Sequence, residues 1–421
     1  MADAKPFNQC LLLILIGLMI LTGSVNTIFN KILQKLYGKG IIFEQHHWII
    51  TFGMFLGELV SIFFYIYVVI KRNKSKDEKQ EEEKPDEEAG ETAPPEDEKN
   101  GEKKPPIPTN FFFCITAACD LTATTINTFG LTYLTTSMFQ MMRGLELFFV
   151  CLWSKIFLKN HIYRHQILGV GTLIFGLSLV GLNSILNDTN TQVAKNPVVG
   201  IILLSTSQLF TSTEYIIQEK FIKHYDVHPF QLVGFEGLWG SLMYGILLII
   251  FQVVSCDDWS ETLKEGICFI NDEGESHIED SIFAFEQMWD NKSLLVVYIF
   301  YVVSIALYNI VGINLTKLVS STARAVVDTV RTVFIWGFFL FFTPVEGTKE
   351  DFHLLQFIGF IFLVCGTLVY NEIVTLPFWG LDYYTRVNIA ERKKNGEGAD
   401  EREKLYDSKQ SIGSNQENNN E

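Results

Sequence analysis

The chain has 421 residues, of which 48% are hydrophobic and 35 are Phe, and a formal net charge of −15. An acidic chain without a basic stripe excludes a nucleic-acid binder, and seven Cys with no C-x-x-C pair exclude a cysteine metal cluster. Phe-rich apolar runs of span length are not those of an ordinary water-soluble globule.

Ten membrane spans of about 20 residues each are predicted: 9–29, 49–70, 111–131, 135–157, 165–186, 198–219, 231–254, 293–315, 322–343 and 353–374. The first has only Lys5 in its flank and no A-x-A site, so it reads as a retained span rather than a signal peptide. His46-His47 precedes the second. Adjacent histidines point in different directions on a helix and no third ligand is near, so interface histidines are expected and no metal site. Gly53-Met54-Phe55-Leu56-Gly57 forms a small-xxx-small packing face, and Glu58 follows it. Segment 71–106 is Lys/Glu/Pro-rich, cannot build a core and is expected to be a disordered linker.

The third span carries Asp120, and the fourth carries Gln140, Arg143 and Glu146 at three-residue spacing. The fifth is glycine-bearing, with Gly169, Gly171, Gly176 and Gly181. Glu214, Tyr215 and Gln218 lie in the sixth span and Glu236 in the seventh. The acidic loop 256–292 holds Trp259, Phe269, Ile270, Phe283, Phe285 and Trp289, enough apolar surface for a small ordered cap. Arg324, Asp328 and Arg331 share one face of the ninth span at i, i+4, i+7. The tenth contains Gly359 and Gly366, and 376–421 is a polar tail.

An even number of spans puts both termini on one side, and the positive-inside rule makes that side the cytosol. Lys71, Arg72, Lys155, Lys159, Arg164, Lys220 and Lys223 collect there, against the acidic 256–292 loop on the other face. Lys31, Lys35 and Lys39, expected in the first loop, run against the trend. The Asn187 and Asn291 sequons then face the lumen or exterior, as do Cys256 and Cys268. A disulfide and two free thiols are equally compatible with the sequence, as are glycosylated and unused sequons.

A charge in mid-membrane costs about 2.5–3.5 kcal/mol on insertion scales. Arg324, Asp328 and Arg331 therefore need a polar cavity or partners. An Arg fork suits phosphate or carboxylate, so Arg143, Arg324 and Arg331, with Gln140, Asp328 and Tyr215, are the expected substrate-binding set. Asp120, Glu146, Glu214 and Glu236 are expected to tune charge or couple a proton. The competing readings are an Asp328–Arg331 pair, an Arg143–Glu146 pair and an Arg324 that reaches the interface. For Glu58 a helix-packing contact is favoured. No H-E-x-x-H, G-x-S-x-G, Walker A or G-x-G-x-x-G sequence occurs, so neither an enzyme nor a cofactor is expected.

Five spans precede the 187–197 loop and five follow it, the parity of an inverted repeat. Thr135-Thr136-Ser137 with Arg143 echoes Ser320-Ser321-Thr322 with Arg324. The expected fold is all-α and polytopic: a first five-helix repeat in 1–186, a second in 187–375, and the tail.

Several stretches resemble the drug/metabolite transporter superfamily, and more closely the F subfamily of solute carrier family 35. They are Gly53–Glu58, Cys119-Asp120-Leu121-Thr122, Ser137–Gly144, Glu219-Lys220-Phe221, Val227-His228-Pro229, Glu236-Gly237-Leu238, Thr322-Ala323-Arg324 and Asp328–Val333. The resemblance implies ten helices in two inverted repeats about a central cavity, a small-solute substrate, and residence in an endomembrane (Golgi, ER or lysosome) or a mitochondrial membrane. The expectation is a secondary-active transporter or antiporter of a small, anionic, nucleotide-sugar-like metabolite. The alternative is a non-transporting scaffold that binds a partner protein. The expected partners are the lipid bilayer and a small organic solute, with a homodimer also admitted.

Overall fold

Long apolar runs without backbone partners in lipid fold as helices, because only intrahelical bonds satisfy their amides there. The computed structural model describes residues 9–43, 46–82, 110–134, 139, 142–159, 162–187, 197–225, 227–257, 268–270, 276–342, 353–370, 372, 374–385, 388, 389 and 392. Its helices are α1 (Gln9–Lys35), α2 (His47–Leu59), α3 (Ser61–Glu82), α4 (Phe113–Thr132), α5 (Leu145–Phe157) and α6 (Arg164–Asn187). They continue with α7 (Pro197–His224), α8 (Pro229–Val253), α9 (Ser281–Asp290), α10 (Lys292–Leu318), α11 (Ser321–Phe341) and α12 (Leu354–Tyr370). Short antiparallel pairs β1 (Tyr37–Gly38) with β2 (Ile41–Ile42) and β3 (Phe269–Ile270) with β4 (Ser276–His277) lie at one end of the bundle.

Local sequence sets several starts. Asp280, Asn291 and Ser320 cap α9, α10 and α11 by accepting the amides of Phe283, Ser293 and Ala323. Pro229 opens α8 where its missing N–H costs nothing.

Among the described residues, five helical stretches are long and apolar enough to cross a membrane: Cys10–Lys35, His47–Arg72, Arg164–Asn183, Pro229–Val253 and Lys292–Leu318. The protein is an all-α, multi-pass membrane protein. Its outer surface is apolar, with Leu13, Phe63, Ile246 and Ile299 exposed, while Gln208, Glu214 and Asp328 are buried. That reverses the soluble arrangement and matches lipid as the outer solvent.

Four closely packed helix pairs run antiparallel. In the α1/α10 pair, Asn26 donates to the Tyr301 carbonyl at 3.3 Å and Phe29 stacks on Phe300. In α4/α7, Ser207 donates to the Ala123 carbonyl at 2.8 Å and Phe113 meets Phe221. Gly234, Gly237 and Gly240 of α8 abut Ile62, Leu59 and Phe55 in turn. α6 and α12 touch backbone to backbone: a Cβ at Gly176 would lie 2.5 Å from the Gly359 carbonyl oxygen, and one at Gly366 would lie 2.6 Å from that of Gly169.

Two expectations about segments change. α1 continues to Lys35, so Lys31 and Lys35 are helical rather than in the first loop. α3 runs to Glu82, into the segment expected to lack structure from 71, while 83–109 lies outside the described residues. The described parts of the 256–292 loop form an ordered cap, built from a Cys256–Cys268 disulfide, β3–β4 and α9, while 258–267, with Trp259, and 271–275 lie outside the described residues. It is fastened to the α1–α2 connection. Gln287 donates to the Gly38 carbonyl at 3.0 Å, Lys39 pairs with Glu286, and His46 pairs with Glu279.

Candidate functional site

α1, α4, α7 and α10 each carry a stripe of polar side chains at helical spacing, and the stripes converge on one interior cavity of about 170 Å³. A water needs roughly 10–15 Å³ on this measure, so the space holds on the order of a dozen waters. Asn26, Asn30 and Gln34 of α1 recur at i, i+4, i+8, and Asp120, Thr124 and Asn127 of α4 at i, i+4, i+7. On α1, α2 and α4 the lining residues fall in the part of the helix nearest the cap-bearing end. Asn30 Oδ1 and Asn127 Oδ1 are buried without a hydrogen-bond partner.

Arg324 enters this cavity from α11. Its Nη1 donates to Gln218 Oε1 at 2.8 Å, and its guanidinium lies 3.9 Å from the Tyr215 ring centroid. A Cβ at Gly312 of α10 would sit 2.7 Å from its Nε, so glycine there makes room for the side chain. Among the described residues Arg324 forms no salt bridge, although it is 2% exposed. The competing reading, in which it reaches the interface, does not describe its geometry: the side chain points inward, over Tyr215.

Gln218 holds the floor together. Its Nε2 donates to Glu214 Oε1 at 2.7 Å and to Glu236 Oε2 at 2.9 Å, while its Oε1 receives Arg324. One amide thus joins two carboxylates and a guanidinium. Asp120 also lines the cavity, and among the described residues its carboxylate has no hydrogen bond or ion pair. Glu58 stands apart from the lining and accepts from Asn309, a helix-to-helix contact.

Asp328 organises the other two guanidiniums. Arg331 Nη2 lies 3.1 Å from Oδ1, Arg143 Nη2 lies 3.3 Å from Oδ2, and Tyr308 donates its hydroxyl to Oδ1. Arg331 is packed over Tyr308 and against Gly23 of α1, away from the cavity lining. The paired reading of Asp328–Arg331 therefore describes its geometry. The competing Arg143–Glu146 pair does not form: among the described residues both Glu146 carboxylate oxygens are buried without a hydrogen-bond partner, and Arg143 turns to Asp328 on α11.

Of the residues singled out by sequence, Asp120, Arg143, Glu214, Tyr215 and Arg324 line the cavity, whereas Glu146, Glu236, Asp328 and Arg331 lie behind it. Gln140 and the Asn187 side chain lie outside the described residues. The Asn291 side chain is engaged in capping α10, and its Nδ2 donates to the Tyr37 carbonyl at 2.7 Å. Sequence reasoning missed the α1 stripe, including Lys31, although its period was legible. Among the described residues no group of three potential metal ligands occurs.

Residues 96–370 match the family model for chloroquine-resistance transporter-like (CRT-like) proteins. The chain belongs to that family. It is 30% identical over 368 residues to rat solute carrier family 35 member F6, a match covering 85% of this chain and 88% of the relative. The human protein of the same name gives the same identity over 366 residues and the same coverage. A Schizosaccharomyces pombe protein is 30% identical over 266 residues, covering 63% of this chain and 75% of that protein. The chain is thus a member of the F-type solute carrier 35 group, a membrane transporter and not an enzyme.

Proposed function

We propose that the protein is a secondary-active carrier or exchanger for a small organic anion, working by alternating access. The observation that carries this reading is Arg324: a guanidinium buried in a membrane bundle, facing a polar cavity, with an aromatic and an amide as partners instead of a carboxylate. Removing a guanidinium from water is costly unless something offsets its charge. A carboxylate or phosphate in the cavity meets that need with two parallel hydrogen bonds. Arg143 lines the same space and shares Asp328 with Arg331, so it contributes field more than free bonding capacity. The cavity suits an anion smaller than a whole nucleotide sugar; a nucleotide sugar would require a wider state.

Ten spans in two inverted five-helix repeats are part of the proposal, with α2 and α3 together as the second span. The helix pairing supports it. A two-fold relation exchanging the first span with the sixth, the second with the seventh and so on carries the α1/α10 pair onto α7/α4. The same relation maps α8 with α2–α3, α5 with α11, and α6 with α12 onto themselves, and all these pairs are in contact. We place the cap on the lumenal side of an endomembrane or a mitochondrial membrane, with both termini cytosolic. The Cys256–Cys268 bond favours an oxidising compartment beside the cap. In this reading Asp120, Glu214 and Glu236 balance charge around the substrate or carry a coupled proton.

The test is exchange in proteoliposomes, screening labelled nucleotides, nucleotide sugars and smaller organic anions. Arg324→Ala is expected to abolish flux of the substrate found, and Arg143→Ala to weaken it, with insertion and thermal stability preserved. Full flux in Arg324→Ala refutes the assignment. A protein inert toward every anion, with Arg324 closed onto Glu214 or Glu236 in a second structure, would favour the partner-binding scaffold.

A further inference from the structure

The cap helix α9 divides its surface in three. Ala284, Gln287 and Met288 are buried against the bundle. At 100° per residue, Phe285, Trp289 and Ile282 then follow within about 60° of arc, and they are 53%, 75% and 64% exposed. Glu286 and Asp290 take the arc beyond them. A water-facing helix has no reason to display three large apolar side chains together beside its acids.

The position of α9 decides what covers them. Only Asn291 separates it from α10, a span whose Val296, Ile299, Phe300 and Val303 are exposed as lipid-facing residues are. Lys292 Nζ sits 4.0 Å from the Trp289 ring centroid, the aromatic-with-cation pairing of a membrane–water boundary. The inner face cannot swing away, since Gln287 bonds the Gly38 carbonyl and Asn291 the Tyr37 carbonyl.

We infer that α9 is an interfacial helix. Ile282, Phe285 and Trp289 insert at the boundary between lipid headgroups and acyl chains, so that the bilayer itself holds the cap in place. Glu286 and Asp290 face water and keep the helix from sinking further.

Trp289 reports directly. The full-length protein is placed in phosphatidylcholine nanodiscs whose acyl chains are brominated just below the ester. Because the chain has seven Trp, the Trp289 signal is taken as the difference between wild type and Trp289→Phe. The expected result is loss of that emission with brominated lipid and resistance to aqueous iodide. Quenching by iodide with no response to bromine overturns the inference. A particle that falls from dimer to monomer in Phe285→Ser, with Trp289 emission untouched by bromine, assigns the face to a second copy instead. As a check independent of variants, a phosphatidylcholine carrying a photoreactive group near its headgroup should label 281–290 of the wild-type protein. Labelling that skips this peptide counts against the inference.

Discussion

Asp328→Asn is the substitution for which the structure gives the firmest magnitude. One carboxylate compensates two guanidiniums, Arg331 at 3.1 Å and Arg143 at 3.3 Å, and also accepts from the Tyr308 hydroxyl. Asn keeps the shape and one acceptor but removes the charge. Two cations are then left facing each other in a buried site. Breaking a buried ion pair by deleting one partner costs about 3–5 kcal/mol, against about 1.5–3 kcal/mol for a single hydrogen bond to a charged group. Asp328→Asn is therefore expected to destabilise clearly more than Tyr308→Phe. The assay is unfolding in a fixed detergent, followed by intrinsic fluorescence, on wild type, the single variants Asp328→Asn, Tyr308→Phe and Arg331→Met, and the double variant Asp328→Asn/Arg331→Met. The double variant should recover part of the loss, since it removes one stranded cation. Equal stability of Asp328→Asn and wild type, or a double variant worse than the sum of its parts, would refute the account of Asp328 as the charge keystone.

Gly366→Leu is expected to destabilise by about 1–3 kcal/mol, the usual cost of overpacking, because its Cβ would press on the Gly169 carbonyl. Gly171→Ala should change little, as nothing lies within 4 Å of the new methyl; similar melting temperatures for the two variants would contradict the backbone contact. At the end away from the cap, Glu219 accepts from the Ser321 amide at 2.9 Å and its hydroxyl, and Lys223 bonds both Glu219 and the Val319 carbonyl. Glu219→Gln should loosen this closure and speed labelling of a Thr316→Cys reporter by an impermeant maleimide; an unchanged rate would show that the cluster is not a gate.

The multi-pass helical character and the polar interior were legible because each follows from composition over about 20 residues. Partner choice was not. Arg143 and Glu146 are only three residues apart, yet Arg143, in the turn before α5, reaches Asp328 on α11, a choice set by how α5 meets α11. Arg324 lies one turn into α11, where snorkelling is the default. What turns it inward is Gly312 opposite, which no pattern within α11 encodes. Arg331 drew attention as the deeper charge, but Gly23 on α1 lets it pack as structure. The α1 stripe from Asn26 to Gln34 was readable from its period, and was passed over because its lysine looked like a loop residue. The Glu219 cluster depended on seeing the α10–α11 turn beside α7.

Where Gly169 and Gly176 meet Gly366 and Gly359, two helices rest on each other backbone to backbone, with the Phe175 and Phe362 rings edge to face beside the seam. Two turns of bare contact span roughly 10 Å at 1.5 Å per residue, enough to serve as a hinge pin. We expect this seam to persist while the walls around Arg324 trade partners, making α6 and α12 the fixed axle of the proposed transport cycle.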